Sequence, residues 1–517
     1  MRNTISVHNA SVYSLMIIAP LVTFKFLGVS TTVSPLTLTY ISVLISCCAI
    51  VVSRSPLLNT RDRNLPPYAP VTLFEALTKG KEFPFFISRL VQSVGPIFRL
   101  RKTLFMDITI VNDALVVKEI LNDPSSLKPR KMYQRLDKTV EGKYIPYLTT
   151  KEGDMWKKTK QSISHAFAHK HITRMKEVCY EKLEEWIRNT IDSKPGKSFD
   201  VFQEMQQLSL RIICKAAFEY DMSDEEAAAY VIENDTYLYE VACKQRMHVW
   251  RKWCKSILPS VRRAYQASEN TASFARRVLA SYREKVKSGV ESSEDTLIKL
   301  LENSGAFETE AEKIAEITGL ISGGFHTTGN SIGFTLLELA KNPKIIEDYR
   351  DNIKGTSNVY DWAKSDCIQR IVREGLRMHP VTSHIWRVLD KDIHTKSTGM
   401  STKKASSHIV IPKGSIIVVC FPSVHRSSEH YNHPDTFDPS RWINPSKEAM
   451  DAFMPFALGR RTCIGQRLAY AELHTVIAKL AAEYNWEVEA EGSVCVGLAI
   501  SRKGTRLIAR KSCGQLD

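Results

Sequence analysis

The stretch Phe456-Ala457-Leu458-Gly459-Arg460-Arg461-Thr462-Cys463-Ile464-Gly465 reads as a loop that presents one cysteine to a metal. Gly459 permits a tight turn, and Gly465 lets the backbone come close to a flat cofactor. Arg460 and Arg461 place positive charge beside Cys463. Gln466 to Leu480 reads as a helix starting just after it, with N–H groups aimed back at the sulfur. Both effects favour thiolate over thiol. A lone thiolate with no Cys or His companion nearby cannot complete a zinc or iron–sulfur site, but it suffices as the single axial ligand of a haem iron. A buried structural cysteine is the alternative.

These residues resemble the signature of the cytochrome P-450 superfamily: Phe, two residues, Gly, any, Arg, any, Cys, any, Gly. Phe456, Gly459, Arg461, Cys463 and Gly465 fill its fixed positions, and Ala457 stands where the family more often has Gly or Ser. The resemblance implies a mainly α fold with small β-sheets (α+β). It also implies haem b with Cys463 as axial ligand, and Phe456, Gly459, Arg461 and Gly465 shaping its seat.

An apolar fraction of 43% is ample for a core, and the formal net charge of +15 suits an acidic protein partner or anionic lipid headgroups. The charges are scattered, so nucleic acid is not expected as a partner. Eleven cysteines without a CxxC pair suit a reducing compartment and no disulfide framework.

Thr4 to Phe24 and Phe26 to Ser53 contain no Asp, Glu, Lys or Arg. A membrane span needs about twenty apolar residues, so Leu36 to Ser53 is the stronger candidate and Val12 to Phe24, broken by Pro20, the weaker. Arg54, Arg61 and Arg63 follow, placing the body on the cytosolic side by the positive-inside rule. The expectation is an anchor region over 1–64, a catalytic domain over 65–517, and residence in the endoplasmic reticulum membrane. Leu65 to Pro70 is a stiff proline connector.

Gly95 to Leu100 and Asp107 to Val111 read as strands, and Asp113 to Leu121 as a short helix. Met175 to Lys287 carries amphipathic helical patterns. In Gly153-Asp154-Met155-Trp156-Lys157-Lys158-Thr159-Lys160, Trp156 and Lys160 lie one helical turn apart. The resemblance makes them haem-propionate contacts, with Lys160 in place of the usual arginine and without its bidentate fork. No FMN, FAD or nicotinamide fingerprint occurs, so electrons from NADPH arrive through a separate flavoprotein reductase.

A long helix over about 310–340 has the centre Gly323-Gly324-Phe325-His326-Thr327-Thr328. Two interior glycines cost about 1 kcal/mol each relative to alanine, so something uses the space they leave. The resemblance makes that something dioxygen, with Thr327 at the position that helps deliver protons. His326 replaces the usual acid before it and is also able to relay protons, or else packs the helix. Phe325 is a candidate pocket residue.

Glu374-Gly375-Leu376-Arg377 puts a carboxylate and a guanidinium on one helix face. With Arg441 of Asp438-Pro439-Ser440-Arg441-Trp442 it resembles the family's Glu–Arg–Arg network, a structural support for the cysteine loop. Between them Val381 to Arg387 reads as a strand. Arg387 matches a propionate ligand, and Thr382, Ser383 and His384 are polar pocket candidates that hint at an oxygenated or acidic substrate, though alternation turns some away. Ile416 to Cys420 reads as a strand, and Val494 to Ile500 as an apolar hairpin.

Together these features lead to the expectation of a membrane-anchored haem monooxygenase that oxidises C–H bonds of a small lipophilic or terpenoid-type natural product. The alternatives are a haem-thiolate isomerase or dehydratase working without dioxygen, whose relatives usually lack the central threonine, and a non-enzymatic haem sensor.

Overall fold

The computed structural model describes residues 65–72, 83–103, 106–168, 170–244, 251, 253–290, 295–356, 358–397, 407–497 and 499–512. The membrane-span expectations at 12–24 and 36–53 lie outside them. Among the described residues no helix is long and apolar enough to cross a membrane.

The main sheet joins β1 (Tyr68–Thr72), β2 (Ile97–Thr103), β3 (Met106–Val111), β10 (Ile416–Cys420) and β7 (His384–Val388) in that order. Proline lacks an N–H, so the proline connector suits an edge. There Pro66 O and Pro67 O accept from Arg99 Nε and the Arg99 N–H, both at 2.7 Å. Helix α1 (Phe83–Val94) precedes β2, and α2 (Ala114–Asn122) follows β3, its first N–H groups capped by Asp113 Oδ1. A small hairpin, β4 (Lys138–Val140) with β5 (Lys143–Ile145), leads to α3 (Gly153–Ile163).

The helical body contains α4 (Lys170–Trp186), α5 (Val201–Phe218), α6 (Asp224–Leu238), α7 (Pro259–Lys287), α8 (Glu310–Lys341), α9 (Asp366–Met378) and α10 (Gln466–Glu483). Thr309 caps α8 by accepting from the Glu312 N–H. From Ile314 to Leu339 most of its residues are buried, as befits a helix enclosed on most sides. Phe334 meets Phe202 of α5 edge-on at 4.7 Å. Ser322, His326 and Asn330 recur every four residues on one face and meet Asn234 at 2.7 Å, Asp235 at 3.1 Å and Gln206 at 2.7 Å.

The strand expected over 381–387 begins only at His384. Val381 O instead accepts from the Ile500 N–H at 2.7 Å, and Ser383 O from the Phe421 N–H at 3.1 Å. The expected tail hairpin over 494–500 forms, slightly longer, as β12 (Ser493–Val496) and β13 (Ile500–Lys503). β8 (Ile393–Ser397) pairs with β9 (Ser407–Ile411), and β14 (Arg506–Lys511) lies between β11 (Tyr484–Ala490) and β6 (Ser198–Asp200).

The buried aromatic pair yields a stability test. Phe334→Ala lowers the unfolding free energy by about 3–5 kcal/mol, whereas Leu115→Ala, 64% exposed, stays within about 0.5 kcal/mol. Denaturant titration measures both, and equal losses would contradict this assignment of the core.

Candidate functional site

The cysteine loop is shaped by two left-handed residues, Ala457 (φ 58°) and Gly459 (φ 71°). A Cβ at Gly459 would overlap the Leu121 carbonyl oxygen of α2, so this position requires glycine for space as well as conformation. The Cys463 N–H donates to Phe456 O at 3.0 Å and closes the loop. Cys463 is exposed, yet its thiol is so surrounded by protein that burial pushes it up, opposed by a hydrogen bond from the Gly465 N–H. Both properties suit a sulfur lining an internal slot. They correct the expectation that the surroundings alone favour thiolate. Arg460 and Arg461 spend their charge on the Trp156 ring and on Glu152 instead.

Arg461 lies over the Trp156 ring, 3.9 Å from its centroid, and its Nη2 meets Glu152 Oε2 at 2.7 Å and Lys151 O at 2.8 Å. Arg460 and Lys160 approach the same ring at 5.5 and 5.1 Å, and Lys160 Nζ donates to Arg460 O at 2.9 Å. Arg387 of β7 is 2% exposed and donates to Trp386 O. Lys128, which no sequence pattern singled out, donates from Nζ to Thr149 O at 3.0 Å and from its N–H to Glu152 Oε2 at 3.1 Å. Burial, then the charges of Arg387 and Arg461, lower its ammonium to about 7 against the pull of Glu152. Burial raises Glu152, but Arg461 and the backbone donors outweigh it and hold the carboxyl low.

Among the described residues this cradle thus pairs Lys128, Lys160, Arg387, Arg460 and Arg461 with one carboxylate, Glu152. The Nε atoms of Arg460 and Arg461 are buried without an acceptor. Buried cations call for anions. A flat cofactor carrying carboxylates over an exposed sulfur is what these donors fit, and haem b with its two propionates has that chemistry.

On α8, Gly323 is exposed and Thr327 half-buried, one turn apart on the same face. Thr327 Oγ1 donates back to Gly323 O at 2.9 Å. His326 points elsewhere: it is buried, with Nε2 3.1 Å from Asp235 of α6. Phe325 is fully buried against Tyr230, ring centroids 5.9 Å apart.

Thr382 is half-buried. Ser383 is buried with Oγ 2.7 Å from His384 Nδ1. His384 meets Phe83 of α1 at 5.5 Å and Trp386 at 6.0 Å. Strand alternation puts Arg387 on the opposite face of β7 from His384 and Trp386, so His384 is turned from the cradle.

Arg377 Nη2 and Nε donate to Glu374 at 2.8 and 2.9 Å, and Arg441 Nε at 2.9 Å. Trp442 Nε1 adds a bond at 3.0 Å, which the family's commoner Phe would lack. Arg377 Nη1 also donates to His425 O at 3.0 Å. Burial and the Arg377 charge press His425 down to about 3, so its neutral Nε2 accepts the Met454 N–H at the root of the cysteine loop.

A thiol-bearing loop, a cationic cradle and a helix face left open at Gly323 and Thr327 together fit a haem-thiolate protein. The family model for Cytochrome P450 matches residues 65–498, and the chain belongs to that family. It is 22% identical to probable cytochrome P450 4s3 of Drosophila melanogaster over 80% of this chain and 84% of that one. It is 24% identical to cytochrome P450 705A5 of Arabidopsis thaliana (77% and 80% covered) and 24% identical to cytochrome P450 4F12 of Homo sapiens (65% and 67%). The protein is a cytochrome P450 monooxygenase that carries haem on a cysteine thiolate, receives electrons from a reductase partner and acts on a small molecule.

The cradle makes haem binding pH-linked. An anion beside Lys128 favours its ammonium, which burial and the neighbouring charges otherwise hold near 7. Lys128 therefore takes up protons when propionates bind near neutral pH, while ligation of Cys463 releases the proton of its raised thiol. Calorimetric titration of haem-depleted protein in two buffers of different ionisation enthalpy reads the net exchange, and Lys128→Met shifts it towards release by removing the uptake. Trp442→Phe leaves one Glu374 oxygen short of a donor and lowers stability by about 1.5–3 kcal/mol in the same measurement used for Phe334. An unchanged midpoint would refute a role for that bond.

Proposed function

We propose that Cys463 is the axial ligand and that Trp156, Lys160, Arg387, Arg461 and Lys128 bind the propionates, with Phe456, Gly459 and Gly465 shaping the loop. One observation carries this reading: the exposed sulfur of Cys463 beside a cradle whose five cations face a single carboxylate. Bound haem supplies the chemistry of dioxygen reduction and C–H oxidation. The chain's own residues bind it, exclude water and move protons.

Thr327 holds a proton at Oγ1 on the open face of α8, resting on Gly323 O. His326 and Asp235, the latter's side chain 37% exposed, form a pair through which a proton passes inward from α6. Glu374, Arg377 and Arg441 keep a structural role. The substrate is a lipophilic or terpenoid-type compound of secondary metabolism, hydroxylated or oxidised further. Residues 1–64 anchor the domain 65–517 to the endoplasmic reticulum, facing the cytosol. A dioxygen-independent isomerase is the less favoured reading, because its relatives usually lack the threonine that Thr327 supplies.

Cys463→Ser keeps the far-ultraviolet dichroism of a folded helical protein but loses the red-shifted ferrous carbon monoxide band of a thiolate haem. Retention of that band would exclude Cys463 as the ligand. In reductase-coupled assays Thr327→Ala keeps haem and NADPH consumption, while product per NADPH falls roughly tenfold or more, as loss of a proton donor demands. Asp235→Asn falls in the same direction if the His326 pair conducts protons, and an unchanged ratio would assign that pair to packing.

A further inference from the structure

Lys138 opens the β4–β5 hairpin with its side chain turned inward, 2% exposed. Among the described residues no carboxylate, carbonyl or hydroxyl accepts from its ammonium. What surrounds it are the ring faces of Tyr147 at 5.4 Å and Tyr237 at 5.5 Å. The nearby acids are committed elsewhere: Asp137 forks to Arg130 at 2.6 and 2.9 Å, and Glu316 accepts from the Leu148 N–H and pairs with Lys151 at 3.5 Å. Burial lowers the Lys138 amine to about 8, so it is mostly charged at neutral pH. Ring faces offset only part of the cost of a buried cation, and an anion is the missing partner.

Its position says which anion. The Tyr147 ring presses so closely on Gly319 of α8 that a Cβ there would overlap it. Gly319, Gly323 and Thr327 follow at four-residue spacing on one face of the helix. The tyrosine under Lys138 therefore sits on the oxygen-handling face, one turn (about 6 Å along the axis) before exposed Gly323 and two turns (about 12 Å) before Thr327. His384, an expected acid contact, faces Phe83 and Trp386, and its Nδ1 is taken by Ser383 Oγ. Lys128 and Arg387 belong to the cofactor cradle.

We propose that Lys138 binds the carboxylate of the substrate and makes this a monooxygenase of amphiphilic acids, oxidised at a carbon several bonds from the acid group. The proposal rests on the haem-monooxygenase reading above. The two tyrosines keep water from the ammonium and fix its place, so a carboxylate gains a charge-assisted bond in a poorly solvated setting.

The test uses purified holoenzyme and the spin-state shift of its haem band. Probes are dodecanoic acid and abietic acid against their methyl esters. Wild type binds at least one acid tenfold or more tightly than its ester. Lys138→Met removes the preference and leaves ester affinity unchanged, while Lys138→Arg keeps it. Lys138→Gln stands in if the methionine variant is unstable. Equal affinity of wild type for acids and esters, no shift with either acid, or a preference that survives in both neutral variants overturns the proposal. A wild type without the thiolate-type carbon monoxide band would instead overturn the haem reading itself.

Discussion

The carboxylate of Glu374 is the point on which the rest of the site hangs. It is fully buried, and five donors converge on it: Arg377 Nη2, Arg441 Nε and the Asp438 N–H on Oε1, and Arg377 Nε and Trp442 Nε1 on Oε2. A charge so far from water survives only when every lone pair is met, and removing one partner of such a pair costs about 3–5 kcal/mol. The second guanidinium edge of Arg377 then ties His425 O, and His425 Nε2 holds the Met454 N–H. One polar chain thus runs from α9 to the root of the loop that carries Cys463. The network holds the loop in place while leaving the sulfur free to bind a metal.

The opposite side of the site accepts instability for function. Lys128, Arg387, Arg460 and Arg461 crowd together with Glu152 alone among the described carboxylates to balance them, and two guanidinium nitrogens lack acceptors. Such a cradle is under electrostatic strain until an anion enters. In the binding mode proposed above, the haem propionates would relieve it, and cofactor and protein would stabilise each other. Helix α8 shows the same compromise. Its Ser322, His326 and Asn330 stripe is clamped to α6 and α5, whereas the adjacent Gly323 and Thr327 stripe is left open.

Much of the site was legible because its signals are local. The Phe456 to Gly465 pattern, the Glu374–Arg377 spacing and the Trp156–Lys160 turn depend on neighbours in the chain. The helix read over about 310–340 forms as Glu310–Lys341. Other features are set by distant segments. Trp442 looked like a departure from a commoner Phe, but its Nε1 finds Glu374, 68 residues away in sequence. The facing of His384, against Phe83 and Trp386, is set where Ile500 and Phe421 capture the backbone before β7.

The sequence by itself determined the chemistry: one cysteine in a patterned loop, a glycine-bearing helix with a threonine, and no flavin motif to deliver electrons. Tertiary structure alone decided where charge is left over. The thiol of Cys463 is raised because protein crowds it from many directions. Lys128 gathers with Arg387 and Arg461 from separate elements, and Lys138 loses its counter-ion to the Arg130–Asp137 and Lys151–Glu316 pairings. Burial and pairing are sums over contacts between remote segments, and a linear pattern does not contain those sums.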